Sequence, residues 1–476
     1  MSCLKIFQKT ALLGGVIAIF ALSGSLALAA DTADLTYTPQ VGETQIVKAV
    51  VEVTGDLKLN ADGTKVERLP IQVTAELDYV QRLTTAGGAP GTKAATDGRM
   101  LRYYRSATAK MKLRDSEMQQ TLADDRRLIV ADVAGDEALL FSPAGPITRE
   151  ELELVDAPAS QLITAALLPG KTVSTGDTWT YDDAVVCRLL GLEAVQEQKI
   201  VAKLDKIEIG VAMISLEGKV AGAVGGVASD IELKGRVNFD LGTKMVTWLV
   251  LAIRENRSIG HAQPGFEAVT KLRMVAAPAA SPPELAAEQL TGLPLEKSAG
   301  SSLMLLRSPR GGYELIHDRR WRTMVDRSDV TILRMVDRGD LVAQCNITRL
   351  PPLGKDKQLT MDGFQNDIRR TLGKSFGDIV DANELQSEAG LRILRVTAAG
   401  NTQDLPIQWT YYHVSNPAGE QLSLVVTMES KLVEKFPQVD RELTSNLRLL
   451  DLPKPTPALN KPKIESATVK PATSTK

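Results

Sequence analysis

The sequence predicts an α+β protein built of two β-rich units in series. The first is antiparallel and the second is mixed with helices. Three observations carry that prediction. Between residues 31 and 275, apolar and polar residues alternate with period two, as a strand wet on one face requires. Residues 303–452 hold eight strand-like segments punctuated by two helical ones. Between the units, residues 276–302 change character and become rich in proline and alanine.

Taken in order, the chain begins with a leader. Lys5 and Lys9 form a positive start, an apolar run follows from Ala11 to Leu28, and Ala27-Leu28-Ala29 precedes Ala30 and Asp31. That is the pattern of a secretory signal peptide over residues 1–30, cut after Ala29 or Ala30. The nearby cysteine, Cys3, stands at the wrong end to carry a lipid at the cleavage point. An exported chain without a later membrane span is therefore expected, periplasmic or extracellular, with envelope association open.

In the first unit, Val73, Ala75, Leu77 and Tyr79 share one face of Ile71–Tyr79, and Gln72, Thr74, Glu76 and Asp78 take the other. Residues 107–113 and 231–241 alternate in the same way, and Gly242-Thr243 turns the second of these into Met245–Ile253. One dry and one wet face is what an antiparallel sheet covered on one side needs. A helical insertion interrupts it. Thr148 and Glu151 have capping-box spacing ahead of Glu150–Val155, and after Pro158 the apolar stretch Ala159–Leu168 ends at Pro169-Gly170. The expected arrangement is a long curved sheet with this helix on its concave face. Gly222-Ala223-Val224-Gly225-Gly226 fits neither dinucleotide nor phosphate-loop spacing and reads as a hairpin turn or bulge.

In residues 303–452, Asp337-Arg338-Gly339-Asp340 and Asn416-Pro417-Ala418-Gly419 supply turns. Helix Met361–Phe376 carries Phe364, Ile368 and Leu372 on one stripe, with Thr360 or Asp362 as its cap. A second helix over residues 431–446 is broken or kinked by Pro437. Residues 453–476 repeat proline, hold five lysines against one glutamate and few apolar side chains, and read as a disordered tail.

The second unit resembles the PsbP-like proteins, a group that includes photosystem II extrinsic subunits. The resemblance rests on Gly312-Tyr313, on Trp321, on Leu405-Pro406-Ile407-Gln408-Trp409-Thr410-Tyr411-Tyr412, on Gly419-Glu420-Gln421 and on Ser445-Asn446-Leu447-Arg448. It implies an α/β/α sandwich and a non-enzymatic interaction domain, and it transfers no site residues. In the first unit, Leu168-Pro169-Gly170-Lys171 followed by Gly176-Asp177-Thr178-Trp179 is similar in outline to exported bacterial β-rich proteins of the lipoprotein-carrier kind.

Composition narrows the function. The net charge of −2 gives no footprint for nucleic acid, and aromatics at 4% argue against a base- or sugar-stacking platform. His261, His317 and His413 have no metal-ligand spacing, and His317 and His413 read as ordinary surface or edge residues. No nucleophile elbow appears. Asp124-Asp125 and Asp182-Asp183 read as turns or solvated edges, because neighbours on a strand point apart. Cys187 and Cys345 are two small buried hydrophobes or one interdomain bridge.

No catalytic, cofactor or metal residues are expected. One candidate remains: Arg319-Arg320-Trp321-Arg322, a basic and aromatic cluster. It is either a partner patch with Trp321 as anchor, or a core tryptophan flanked by solvated arginines. The expected function is an exported, non-catalytic binding protein that meets an unknown protein partner through its C-terminal α+β unit. The alternatives are a carrier or sensor of an apolar ligand or lipid in the first sheet, and, last, an enzyme of unrecognised type.

Overall fold

The computed structural model describes residues 31–59, 65–87, 97–134, 137–156, 161–354 and 357–450. The leader, Pro158 and the C-terminal tail lie outside these residues. Strand accounts for 58% and helix for 15%, in several antiparallel sheets of which none closes, so the chain is β-rich as expected. Among the described residues no helix is long and apolar enough to cross a membrane.

The first part of the chain holds β1 Thr32–Asp34, β2 Thr44–Leu59, β3 Glu67–Ala86, β4 Gly98–Leu113, β5 Ser116–Thr121, β6 Leu128–Ala134, β7 Glu137–Phe141 and β8 Ile147–Thr148. Helices α1 Arg149–Val155 and α2 Gln161–Ala166 follow, then β9 Thr172–Ser174, β10 Thr178–Thr180 and α3 Asp183–Leu190. The run ends with β11 Ala194–Gln198, β12 Val201–Glu208, β13 Val211–Val224, β14 Val227–Asp240, β15 Met245–Arg257 and β16 Gly265–Pro278. Thirteen of these strands make one open sheet in the order β10-β12-β13-β14-β15-β16-β2-β3-β4-β6-β7, with β11 beside β13 and β5 beside β4.

The alternation read from sequence places the core. Leu77 and Tyr79 of β3, Leu233, Val237 and Phe239 of β14, and Leu249 and Leu251 of β15 turn to the same cluster. The helical segment fills that face: Leu167 and Leu168, just past α2, and Val186 and Leu189 of α3 are at most 1% exposed. The capping box at α1 is present in both directions, with Glu151 N donating to Thr148 Oγ1 at 3.2 Å and Thr148 N to Glu151 Oε2 at 2.9 Å.

One reading changes. Asp182 and Asp183 are not turn residues but the start of α3, which Gly191 closes in the left-handed region at φ 68°. The Pro/Ala-rich stretch packs on the large sheet: Leu285 and Leu290 are buried on its opposite face beside Val80, Leu101 and Val130, and Glu284 bonds Arg105 at 2.7 Å.

The second part holds α4 Ala287–Leu290, β17 Leu303–Ser308, β18 Tyr313–Asp318, β19 Trp321–Asp326, β20 Thr331–Asp337, β21 Asp340–Leu350, α5 Met361–Leu372 and β22 Phe376–Gln386. It closes with β23 Arg392–Thr402, β24 Leu405–Ser415, β25 Gln421–Glu429, α6 Val439–Ser445 and β26 Arg448–Leu449. Seven strands form the antiparallel sheet β19-β20-β21-β25-β24-β23-β22. Both faces are buried, which explains the near-continuous apolar run of β23 and β24. Trp409 and Tyr411 join Phe364 and Ile368 of α5 on one face. Tyr412 and Val414 join Val439 and Leu443 of α6, Leu315 and Trp321 on the other. Thr360, not Asp362, caps α5 through Gly363 N at 3.1 Å. Past Pro437 the chain re-enters a helix at Val439.

His317 and His413 are not surface residues. They are 4% and 2% exposed, and burial pushes both imidazoles below their ordinary range. Cys345 is a buried free thiol, so it forms no bridge to Cys187.

Candidate functional site

Two joints between the parts of the chain flank the candidate site. The first is a backbone pairing. β8 runs parallel to β17, with Ile147 opposite Met304 and Thr148 opposite Leu305. The turn between β18 and β19 reinforces it: Arg319 donates to the carbonyls of Leu140, Ser301 and Ser302, the last from Nε at 3.1 Å. Arg149 Nη2 in turn donates to Arg319 O at 2.7 Å.

The second is a contact of two turns. Gly225-Gly226 joins β13 to β14, which places the glycine-rich run in a hairpin. Gly226, at φ 71°, abuts Gly339 of the β20–β21 turn, at φ 89°. A Cβ on Gly226 would fall 2.3 Å from Gly339 Cα. Both the positive φ and the approach demand glycine. Beside this contact, Arg334 Nη1 donates to His261 O at 2.7 Å. Gly226→Ala is expected to cost about 2 kcal/mol by combining strain with overpacking. Gly292→Ala is the control. It has φ 79° with no atom within 4 Å and should cost only the backbone strain, about 1 kcal/mol. Thermal unfolding of the two variants measures the difference, and equal losses would refute the contact.

Between the two joints lies a crevice of about 220 Å³. Arg319, Arg320 and Arg322 line it together with Arg338 and His261, against Glu193 and Asp337. The structure therefore brings three of the four residues of the sequence cluster to one crevice and separates the fourth. Alternation along β19 explains the split. Trp321 turns into the core and is fully buried, while Arg322 turns out and is half-buried.

The arginines differ in what they can still bind. Arg319 is committed to carbonyls. Arg320 is held by Asp318, which accepts from its Nε at 2.9 Å. Arg322 and Arg338 make no side-chain hydrogen bond to another described residue. Burial pushes the Arg322 guanidinium down against the pull of Glu153 and Glu193. Its charge is only partly compensated, and a guanidinium in that state favours an oxyanion.

Arg149, Arg338, His261 and Glu193 come from segments that no local pattern connects to residues 319–322. A different polar cluster has no local sequence signature. In the seven-stranded sheet, Arg395 Nε donates to Asp440 Oδ2 at 3.0 Å and to Tyr412 Oη at 3.1 Å, and Nη1 reaches Asp381 Oδ2 at 2.8 Å. Arg395 and Asp440 are both 8% exposed and border a cavity of about 180 Å³.

No protein family description matches the chain, and no curated protein does. Among solved structures it is similar to a cyanobacterial PsbP from Synechocystis at 14% identity, over 33% of this chain and 99% of that one, with a TM-score of 0.25. Lipovitellin is similar at 6% identity over 51% of this chain, which spans 25% of lipovitellin, with a TM-score of 0.24. The translocator domain of the autotransporter NalP from Neisseria meningitidis is similar at 6% identity, over 82% of this chain and 89% of that one, with a TM-score of 0.14. Likenesses at this level carry no argument about function.

Proposed function

We propose that this chain is an exported, non-catalytic binding protein that holds an anionic group of a protein partner in the crevice between its two parts. The observation that carries the reading is the convergence of Arg322 and Arg338, both without hydrogen-bond partners among the described residues, beside Arg319, Arg320 and His261. Electrostatic steering into such a crevice raises the association rate and makes it salt-dependent. Residues 303–452 are read as a PsbP-like α/β/α sandwich, supported by α5 and α6 on opposite faces of one sheet. The crevice is favoured over the large sheet as the binding surface because α2 and α3 already fill the apolar face that a lipid carrier would offer.

The test is capture from an envelope extract by the full chain, compared with Arg322→Glu/Arg338→Glu. A partner that binds more weakly as salt rises, and is lost in the double variant with unchanged melting temperature, is the expected result. Capture that is indifferent to both salt and the double variant overturns the reading.

A further inference from the structure

We propose that the far end of the large sheet, beyond its helical cover, is the interface for a second copy of this chain, packed face to face as the second layer of a β-sandwich. The proposal does not depend on partner binding in the crevice.

The apolar alternation of the large sheet runs further than the helices that cover it. On β2, Val47 and Ala49 are buried in the main core and Val51 packs against it. Val53 and Leu57 continue the same face of β2 but join none of the hydrophobic clusters of the described residues. The ladder carries this strip sideways. Val53 pairs with Val73 of β3, Val73 with Met111 of β4, and Met111 with Met118 of β5. Nearer the hairpin tip, Leu57 stands between Leu69 of β3 and Phe266 of β16. Met118 is 52% exposed and the others are half-buried. The residues between them, such as Thr54, Gln72, Thr74 and Lys110, are polar and exposed on the opposite face.

Strand geometry sets the size of this face. From β16 to β5 is four interstrand spacings, about 19 Å, and Val53 to Leu59 spans about 20 Å along β2. The footprint is therefore at most about 400 Å², within the range of patches that mark interaction sites. A sheet with a dry face is completed by a second layer, and a second sheet packs about 10 Å away with its strands within about 30° of the first.

Breadth, rim charge and area choose the occupant. The face is five strands wide, so a single acyl chain would cover one strip of it and leave the rest wet. The charged residues around it are already paired with one another: Arg68 with Glu267 at 2.8 Å, and Arg114 with Glu67. Such a rim has no basic excess for an anionic membrane surface. It also has no ring of one sign to repel an identical rim. A two-fold axis brings the same patch to itself, and an apolar face with its backbone paired in the sheet is complementary to its own copy. Two copies bury at most about 800 Å² of footprint in all, short of the roughly 1,200 Å² of a standard interface. The dimer is therefore weak and concentration-dependent, with a dissociation constant in the tens of micromolar or above.

The test is sedimentation equilibrium of the full chain as the cell processes it, over a range of concentrations. The expected result is a reversible monomer–dimer equilibrium. Val73→Lys should weaken it by about tenfold or more, because each dimer would then bury two ammonium groups. Thr74→Lys, the next residue but on the wet face, should leave it unchanged. Should Val73→Lys lower the melting temperature, Leu69→Lys, nearer the tip on the same face, repeats the test. A chain still monomeric at about 1 mM overturns the proposal. A dimer that survives both Val73→Lys and Leu69→Lys, or that Thr74→Lys weakens equally, places self-association elsewhere and overturns this face as the interface. Native mass spectrometry separates the remaining occupant: a monomer that carries lipid, lost in Val73→Lys, overturns the second copy.

Discussion

Trp321→Ala is expected to destabilise the C-terminal part by about 4 kcal/mol, within the range found when a buried large aromatic is truncated. The ring is fully buried, in the cluster that joins Leu315 of β18, Leu333 and Met335 of β20 and Leu443 of α6. Truncation would open a cavity bounded by strands on several sides, and strands in a sheet collapse poorly. A loss of that size is a large fraction of the roughly 5–15 kcal/mol that holds a domain folded. Its neighbour behaves oppositely. Arg322→Ala removes a side chain that faces the crevice and should change stability by about 0.5 kcal/mol or less, while weakening partner capture. Urea unfolding followed by circular dichroism measures both. If the two variants lose the same stability, the division of labour along β19 is wrong.

The second large effect is expected at Asp440. Its Oδ2 accepts from Arg395 Nε and Nη2, at 3.0 and 2.9 Å, and from Tyr412 Oη at 2.5 Å. Asp440→Ala would leave a buried guanidinium with Asp381 as its remaining carboxylate partner and a buried phenol without its acceptor. Breaking a buried pair from one side costs about 3–5 kcal/mol, and because Asp381 still holds Nη1 the lower end, about 3 kcal/mol, is expected. Burial already pushes the Tyr412 phenol upward, so ionisation offers it no relief. The double variant Arg395→Met/Asp440→Leu removes both charges and should recover most of the loss. Chemical unfolding of the single and double variants gives the coupling. A double variant no more stable than Asp440→Ala would show that packing, not charge, sets the cost.

The legible part of this protein was local. The alternation over 71–79 and 231–241, the capping box at Thr148 and Glu151 and the break at Pro437 each involve residues close in sequence, and each recurs in the structure. Helix α3 is hidden because its start at Asp182-Asp183 carries no capping box and reads as a turn or solvated edge. Gly191, eight residues beyond Asp183, was the closing signal. The burial of His317 and His413 was hidden for another reason. Each lies on a strand covered from a separate segment, which composition around the histidine does not report. The candidate crevice was half legible. The arginines of residues 319–322 were visible, but their setting is made by Glu193, His261 and Arg338, brought together only by the meeting of two hairpin turns.

The position of β16 in the large sheet has a kinetic consequence. It pairs along its full length with β2, Gly265 opposite Lys58 and Pro278 opposite Gln45, across more than two hundred residues of chain. Until that last strand emerges, β2 presents a sixteen-residue open edge, and the halves of the sheet on either side of it cannot share a core. Such high contact order predicts slow folding with a long-lived, aggregation-prone edge. During that delay a chain refolding at high concentration is exposed to self-association at β2.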